Sequence, residues 1–240
     1  MSQKKENDGG VYVFSDIKLL SADVKINAEA SSYLLPKPLK FSEPATATFF
    51  FADYAKTMFG SVYQEAAVLF HVVDKKGRAV LTPWIVVNED TALISGREDL
   101  GTPKKMAEIT LVEDGDKVTG TVIRRGIEVL RIETTLGASV EDPHSFASYR
   151  HINPIGMPAI GMKLYEIPPV SERIHQARKA SGTLTVNPSG RDQLNVMKPA
   201  HEIDGQYLLL DFGIPGEGVG MLSTDVDQEW IARNFWERRL

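Results

Sequence analysis

Apolar residues in this chain gather into short runs rich in Val, Ile, Thr and aromatic side chains, broken by clusters of Gly, Asp and Lys. Runs at 45–54, 66–73, 79–87, 107–113, 117–124 and 128–136 have the length and β-branched content of strands rather than helices. Several breaks between them are brief. Asp74-Lys75-Lys76-Gly77, Glu113-Asp114-Gly115-Asp116 and Arg124-Arg125-Gly126 leave room only for tight turns, so the flanking runs are expected to pair antiparallel.

The second half continues the pattern at 183–186 and 206–212. Between them and the first set lies 153–169, whose prolines at 154, 158, 168 and 169 predict an irregular or edge-like segment. Two helices are expected: 27–35, ended by Pro36, and 225–240, with Ser223, Thr224 or Asp225 as its cap. No internal repeat or low-complexity linker divides the chain. The pattern predicts an α+β fold, predominantly antiparallel β, built as one β-rich domain over 11–240. A barrel or a curved sheet closed on itself, with few peripheral helices, is the expected architecture.

Composition narrows the function classes. With 42% hydrophobic residues over 240 positions the chain can bury a substantial core. A net charge of -5, with Lys and Arg scattered rather than gathered in a stripe, offers a polyanion nothing to grip, so nucleic acid is not an expected partner. There are no cysteines, which removes disulfides, thiolate metal sites and thiol nucleophiles. Residues 1–10 form a polar tail carrying Lys4 and Lys5, without the apolar run of a secretory signal. No stretch has the roughly 18 uninterrupted apolar residues of a spanning helix, so no membrane association is expected and a cytoplasmic location is.

The segment that carries chemistry is Gly96-Arg97-Glu98-Asp99-Leu100-Gly101-Thr102-Pro103-Lys104-Lys105-Met106-Ala107. Two lysines stand between a Gly- and Pro-containing loop and an apolar strand, where a scaffold can aim a side chain into a cavity. A free lysine has a pKa near ~10.4, so only about one molecule in a few thousand is neutral at pH 7. Burial and a neighbouring cation both disfavour the ammonium, and the Lys104-Lys105 pair can supply both. Successive strand residues point to opposite faces, which lets Lys104 enter a pocket while Lys105 points elsewhere.

Gly96-Arg97-Glu98 followed by Pro103-Lys104-Lys105 resembles the signature of the acetoacetate decarboxylase family, in which the first lysine of the pair forms a Schiff base with substrate. Tyr63-Gln64-Glu65 resembles the family's Tyr-x-Glu element, and Glu65 lies 39 residues before Lys104, like the family's spacing. Pro36-Lys37-Pro38-Leu39 resembles the Pro-x-Pro-Leu that follows the family's first helix. The resemblance runs in order over roughly 15–136. It implies a double-layered, cone-like β-barrel with an apolar pocket, a homo-oligomer, a small-molecule carbonyl substrate and no external cofactor. By the same resemblance Lys104 is the nucleophile, Glu65 stabilises the iminium or relays protons, and Lys105 assists. Arg97 and Glu98 shape the loop rather than touch substrate.

Two departures stand out. The family's decarboxylases carry an arginine near the start of the first strand, where this chain reads Ser15-Asp16-Ile17-Lys18-Leu19. A second family glutamate falls in the strand that here reads Thr46-Ala47-Thr48-Phe49-Phe50-Phe51. Lys18 does not restore the arginine, because an ammonium lacks the planar fork that grips a carboxylate twice. The expectation is a Schiff-base lyase working on an oxo acid or related carbonyl compound, by decarboxylation or aldol and dehydration-type chemistry, with acetoacetate itself a poor substrate. The alternative is a non-catalytic small-molecule binding protein on the same barrel.

Other constellations are weaker. The histidines at 71, 144, 151, 175 and 201 show no ligand spacing, so no metal is expected. Gly216-Glu217-Gly218-Val219-Gly220 lacks the lysine of a phosphate loop and is read as a turn. No G-x-S-x-G elbow supports serine hydrolysis.

Overall fold

A computed structural model of the chain describes residues 10–215 and 220–239. The expected tail, apart from Gly10, and all but the last glycine of the 216–220 turn lie outside these residues. In chain order the elements are β1 (Gly10–Lys25), α1 (Ala28–Ser31), β2 (Lys40–Phe41), β3 (Thr46–Thr57), β4 (Tyr63–Asp74), β5 (Gly77–Val87) and α2 (Asp90–Glu98). They are followed by β6 (Lys104–Met106), β7 (Glu108–Asp114), β8 (Lys117–Arg124), β9 (Ile127–Ser139), β10 (His151–Met157) and β11 (Gly161–Ile167). The last are β12 (Glu172–Val186), β13 (Glu202–Pro215), β14 (Gly220–Asp225) and α3 (Gln228–Arg239).

All six early runs are strands, and the three expected hairpins form, with Asp74 opposite Gly77, Asp114 opposite Lys117 and Arg124 opposite Ile127. Arg125 and Gly126 both take positive φ, the conformation a two-residue turn needs to match strand twist. Asn27 caps α1 by accepting from the Ala30 amide at 2.8 Å, and the helix continues as a 3-10 turn to Leu34 before Pro36. For α3 the cap is Asp227, whose carboxylate accepts from the Trp230 amide, rather than residues 223 to 225.

The segment 153–169 differs from the expectation: most of it is the regular hairpin of β10 and β11. Pro154 is tolerated because β10 meets its other neighbour, β5, only at His151, leaving that edge without a ladder to break. The long strands β1 and β12 had weak signals. Most of β12 is exposed or half-buried and carries Arg, Lys, Gln and His, so it has little apolar alternation.

These strands form one mixed sheet in the order β14-β11-β10-β5-β4-β3-β1-β13-β12-β9-β8-β7, with β2 on β4 and β6 on β5. All pairings are antiparallel except β10 with β5 and β5 with β6. The closed barrel that was expected is not what the hydrogen bonds make: among the described residues the path has two ends, β14 and β7, which do not pair. The sheet wraps instead. Val118, Val122, Leu130 and Ile132 of the β8–β9 end pack with Phe49, Phe51 and Val68 of β3 and β4, burying apolar area between two layers. Gly120 makes this approach possible, since a Cβ there would lie 2.6 Å from the Phe51 ring.

Both faces of the central strands are therefore buried. Alternate residues of β3 and β4, among them Phe50, Tyr54, Tyr63, Ala67 and Leu69, form a second core with Ile17 and Leu19 of β1 and Leu208 and Leu210 of β13. That second face holds the candidate site. No helix among the described residues is long and apolar enough to cross a membrane.

Candidate active site

Register decides which charged side chains reach the second face. On β4, Glu65 shares the alternation of Tyr63 and Ala67, so its carboxylate points into the core instead of ending a strand in water. On the far edge of β5, β6 pairs in parallel with Lys104 beside Ile85 and Lys105 beside Val86. Ile85 belongs to the second core and Val86 to the first. The two lysines are thus divided between the two faces.

Lys104 is 6% exposed and Glu65 4%, and Lys104 Nζ stands 2.7 Å from Glu65 Oε2. Two charges taken out of water repay the desolvation only when they are this close. Tyr54 donates to the other carboxylate oxygen at 3.3 Å, and Lys104 Nζ lies 5.3 Å from the centre of the Tyr63 ring. The tyrosines stack on each other at 4.5 Å and both stay protonated. Burial, joined by the charge of Glu65, pushes each phenol well above its ordinary value.

The loop expected around Gly96 is in part a helix, capped by the Glu89 side chain, with Gly96 buried in α2 and Arg97 and Glu98 in its last turn. The glycine has a packing reason. A Cβ there would sit 2.5 Å from Lys104 Cδ and 2.9 Å from Thr102 Oγ1, so the missing side chain is the space that the lysine stem occupies.

Lys105 reaches a different partner. Its Nζ lies 3.3 Å from Asp192 Oδ1, and Asp192 also accepts from Arg124 Nε and Trp84 Nε1, each at 2.8 Å. Burial raises the pKa of this carboxyl group, but the charge of Lys105 and the bonds from Trp84 and Arg124 outweigh it and hold Asp192 below the usual range. Lys105 thus places its charge beside Asp192 on the first face, while Lys104 faces the second. Asp192, Arg124 and Trp84 carried no motif that would have marked them.

Lys104 and Glu65 open onto a cavity of about 100 Å³. Its walls include Phe14, Phe50, Tyr54, Tyr63, Phe146 and Phe212. Of the Phe49–Phe51 run only Phe50 faces the cavity, stacked on Phe146 at 4.5 Å, while its neighbours fill the first core. Phe146 sits on a 3-10 turn between β9 and β10, and its carbonyl oxygen lies 2.9 Å from His151 Nε2. A carbonyl only accepts, so Nε2 carries the hydrogen, and burial pushes the imidazole down to about 4, keeping it neutral. Among the described residues no three His, Asp or Glu side chains converge to hold a metal ion.

A family model described as Acetoacetate decarboxylase (ADC) matches residues 1–219. The chain belongs to the acetoacetate decarboxylase family. It is 28% identical over 113 residues to Acetoacetate decarboxylase 3 of Mesorhizobium japonicum, a match covering 47% of this chain and 44% of that protein. The chain thus spans less than half the length of this curated relative. The fold is similar to that of an acetoacetate decarboxylase from Legionella pneumophila, with a TM-score of 0.78 at 16% identity over 90% of this chain and 88% of that one. It is also similar to MppR, an enduracididine biosynthesis enzyme complexed with pyruvate, with a TM-score of 0.77 at 17% identity over 89% and 90% of the two chains.

Within the acetoacetate decarboxylase family, both departures noted in the sequence have a place in this structure. Phe50 stands on the cavity face of the strand where the resemblance expects a glutamate. Lys18 points to the surface, where it pairs with Glu113 at 2.5 Å with both side chains more than a third exposed, so it brings no charge to the cavity. Sequence reasoning missed His151 and Asn153, which face the cavity from β10. Their i, i+2 spacing was the available signal, but the prolines that follow hid the strand.

Proposed function

We propose that the chain is a Schiff-base-forming lyase with Lys104 as nucleophile, acting on an oxo acid or a related carbonyl compound by decarboxylation or aldol and dehydration-type chemistry. The observation that carries this reading is a lysine almost removed from water, 2.7 Å from a buried carboxylate, at the wall of an aromatic cavity. Membership of a family whose named relatives are decarboxylases supports the lyase class.

In the proposed sequence Glu65 takes a proton from the Lys104 ammonium and frees the lone pair. Nζ then attacks the substrate carbonyl carbon and the C=O π pair moves onto oxygen; Glu65 returns its proton to that oxygen and takes one from the now cationic Nζ, giving a neutral carbinolamine whose hydroxyl receives this second proton as it leaves. Loss of water leaves a protonated imine facing the Glu65 carboxylate, which stabilises the cation. The imine accepts the electron pair of the adjacent bond as it breaks. Protonation of the resulting enamine and hydrolysis return the amine. Aromatic walls exclude water until the last step.

Incubation with small oxo acids, diketones or aromatic aldehydes plus borohydride, read by mass spectrometry, tests the proposal. A covalent adduct on Lys104 is expected. If every probe binds and none is trapped, the cavity is a binding site without imine chemistry, and the lyase reading falls.

A further inference from the structure

β10 presents a polar group that the reaction above does not use. Asn153 is 0% exposed and lines the Lys104 cavity on the same strand face as His151. The Thr82 backbone N–H donates to Asn153 Oδ1 at 3.1 Å. Because a backbone N–H can only donate, this bond fixes the amide: oxygen toward β5, nitrogen on the other side. Asn153 Nδ2 is buried and has no hydrogen-bond partner among the described residues. A buried donor left open is costly, and one at a cavity wall is satisfied when something in the cavity accepts from it.

A bulge explains how the amide and the amine come to share one cavity. Between the pairs Val68–Trp84 and Phe70–Leu81, β5 has one residue more than β4, at Thr82-Pro83, which brings both Thr82 and Ile85 to the cavity face. Asn153 is tied to Thr82 and Lys104 pairs beside Ile85, so the two side chains enter from backbone points about 10 Å apart along β5. The loop leading to Lys104 also packs on this residue, since a Cβ at Gly101 would lie 3.6 Å from Asn153 Cβ. Among the described residues the cavity wall holds no arginine, and Lys104 and Glu65 answer each other's charge. A substrate carboxylate would meet no free countercharge, whereas an uncharged oxygen needs only a donor.

Resting on the lysine reading above, we infer that Asn153 is a specificity-determining residue. Its Nδ2 donates to a second, uncharged oxygen of the substrate, and the preferred substrates are neutral oxo compounds with a hydroxyl or carbonyl oxygen a few carbons from the reacting carbonyl.

A near-isosteric pair of ketones tests this. 4-Hydroxy-2-butanone and 2-pentanone differ by a hydroxyl in place of a methyl, and trapping of each by borohydride is compared in the unaltered protein, Asn153→Asp and Asn153→Leu. Asn153→Asp keeps the oxygen that Thr82 needs and removes the amide hydrogens; Asn153→Leu keeps the bulk alone, and thermal melting checks that each variant is folded. The preference for the hydroxyketone should fall about three- to tenfold in both variants, the worth of one neutral hydrogen bond, with 2-pentanone changing less than about twofold. A preference unchanged in the folded variants overturns the inference, as does an Asn153-dependent preference for acetoacetate over the hydroxyketone. If the unaltered protein traps neither ketone, the lysine reading fails separately, and calorimetric affinities for the same pair decide Asn153: a preference that depends on it supports the inference, and one that does not overturns it.

Discussion

Glu65 and Lys104 meet at 2.7 Å from strands that share no ladder. β4 and β6 lie on opposite edges of β5, where Val87 faces Glu65 and Ile85 sits beside Lys104, so carboxylate and amine reach each other across one face of the strand between them. Lys104→Arg keeps the positive charge but cannot supply a neutral amine, and is expected to abolish borohydride trapping. Glu65→Gln keeps the shape without the proton acceptor and should slow trapping by roughly 10²- to 10⁴-fold, the usual worth of a positioned acid–base group. Trapping as fast as in the unaltered protein in either variant would remove that residue from the reaction.

Lys105 should behave differently from its neighbour. Lys105→Arg and Lys105→Met are expected to retain adduct formation at Lys104 to within about threefold, since Lys105 answers Asp192 on the other face. Asp192→Asn should instead cost on the order of 3 to 5 kcal/mol of stability in urea unfolding, by leaving buried cations without their carboxylate. Loss of trapping in a folded Lys105→Arg protein would give Lys105 a direct part in the chemistry.

Gly96→Ala separates propensity from placement. Alanine in a helix interior is favoured over glycine by up to about 1 kcal/mol, yet the added methyl would press on the Lys104 stem at 2.5 Å. That stem can swing aside only by leaving the buried Glu65 carboxylate without its cation, so unfolding free energy is expected to fall by about 1 to 3 kcal/mol, more than the helix propensity returns. The amine is carried off Glu65, and trapping should drop about tenfold or more, a loss of roughly 1.4 kcal/mol in the barrier. Single-turnover trapping beside a urea titration reads both effects.

Acetoacetate should be a poor substrate. Phe50 faces the cavity and, among the described residues, no arginine lines it, so a carboxylate has no guanidinium partner there. Carbon dioxide release from acetoacetate is expected to be much slower than adduct formation with a neutral ketone at the same concentration. Brisk release at low acetoacetate concentration would contradict this.

Acid should loosen the fold through His151. Its pKa, about 4 when folded against 6.5 for the free side chain, means the unfolded chain binds the extra proton first. Stability is then full above pH 6.5 and falls toward pH 4, by on the order of 2 to 3 kcal/mol. Urea midpoints across that range, compared with His151→Phe, isolate the contribution: the variant should lose most of the slope.

The strands around Lys104 and Glu65 were legible because runs such as 45–54 and 79–87 are apolar on both faces, which length and β-branching reveal without any partner in view. The separation of Lys104 from Lys105 followed from strand alternation alone. Wrapping without closure was not legible, since it depends on which strands meet across the crossovers after β9 and β11. Asp192, Asn153 and His151 were not legible either. A buried polar side chain looks like a surface one until the fold supplies its surroundings, and Pro154 pointed away from a strand that its bare edge permits.

Phe146 lines the cavity stacked on Phe50, and it does so from a 3-10 turn rather than from the sheet. No ladder hydrogen bond depends on its bulk, whereas Lys104 and Glu65 are pinned by three paired strands. On the proposed lyase reading, reactivity and molecular size are thereby assigned to different parts of the chain. The amine can keep its geometry while a smaller residue at 146, or a longer connection before β10, admits a bulkier carbonyl compound. Diversification of substrate in such a protein has a low-cost route through that one connection.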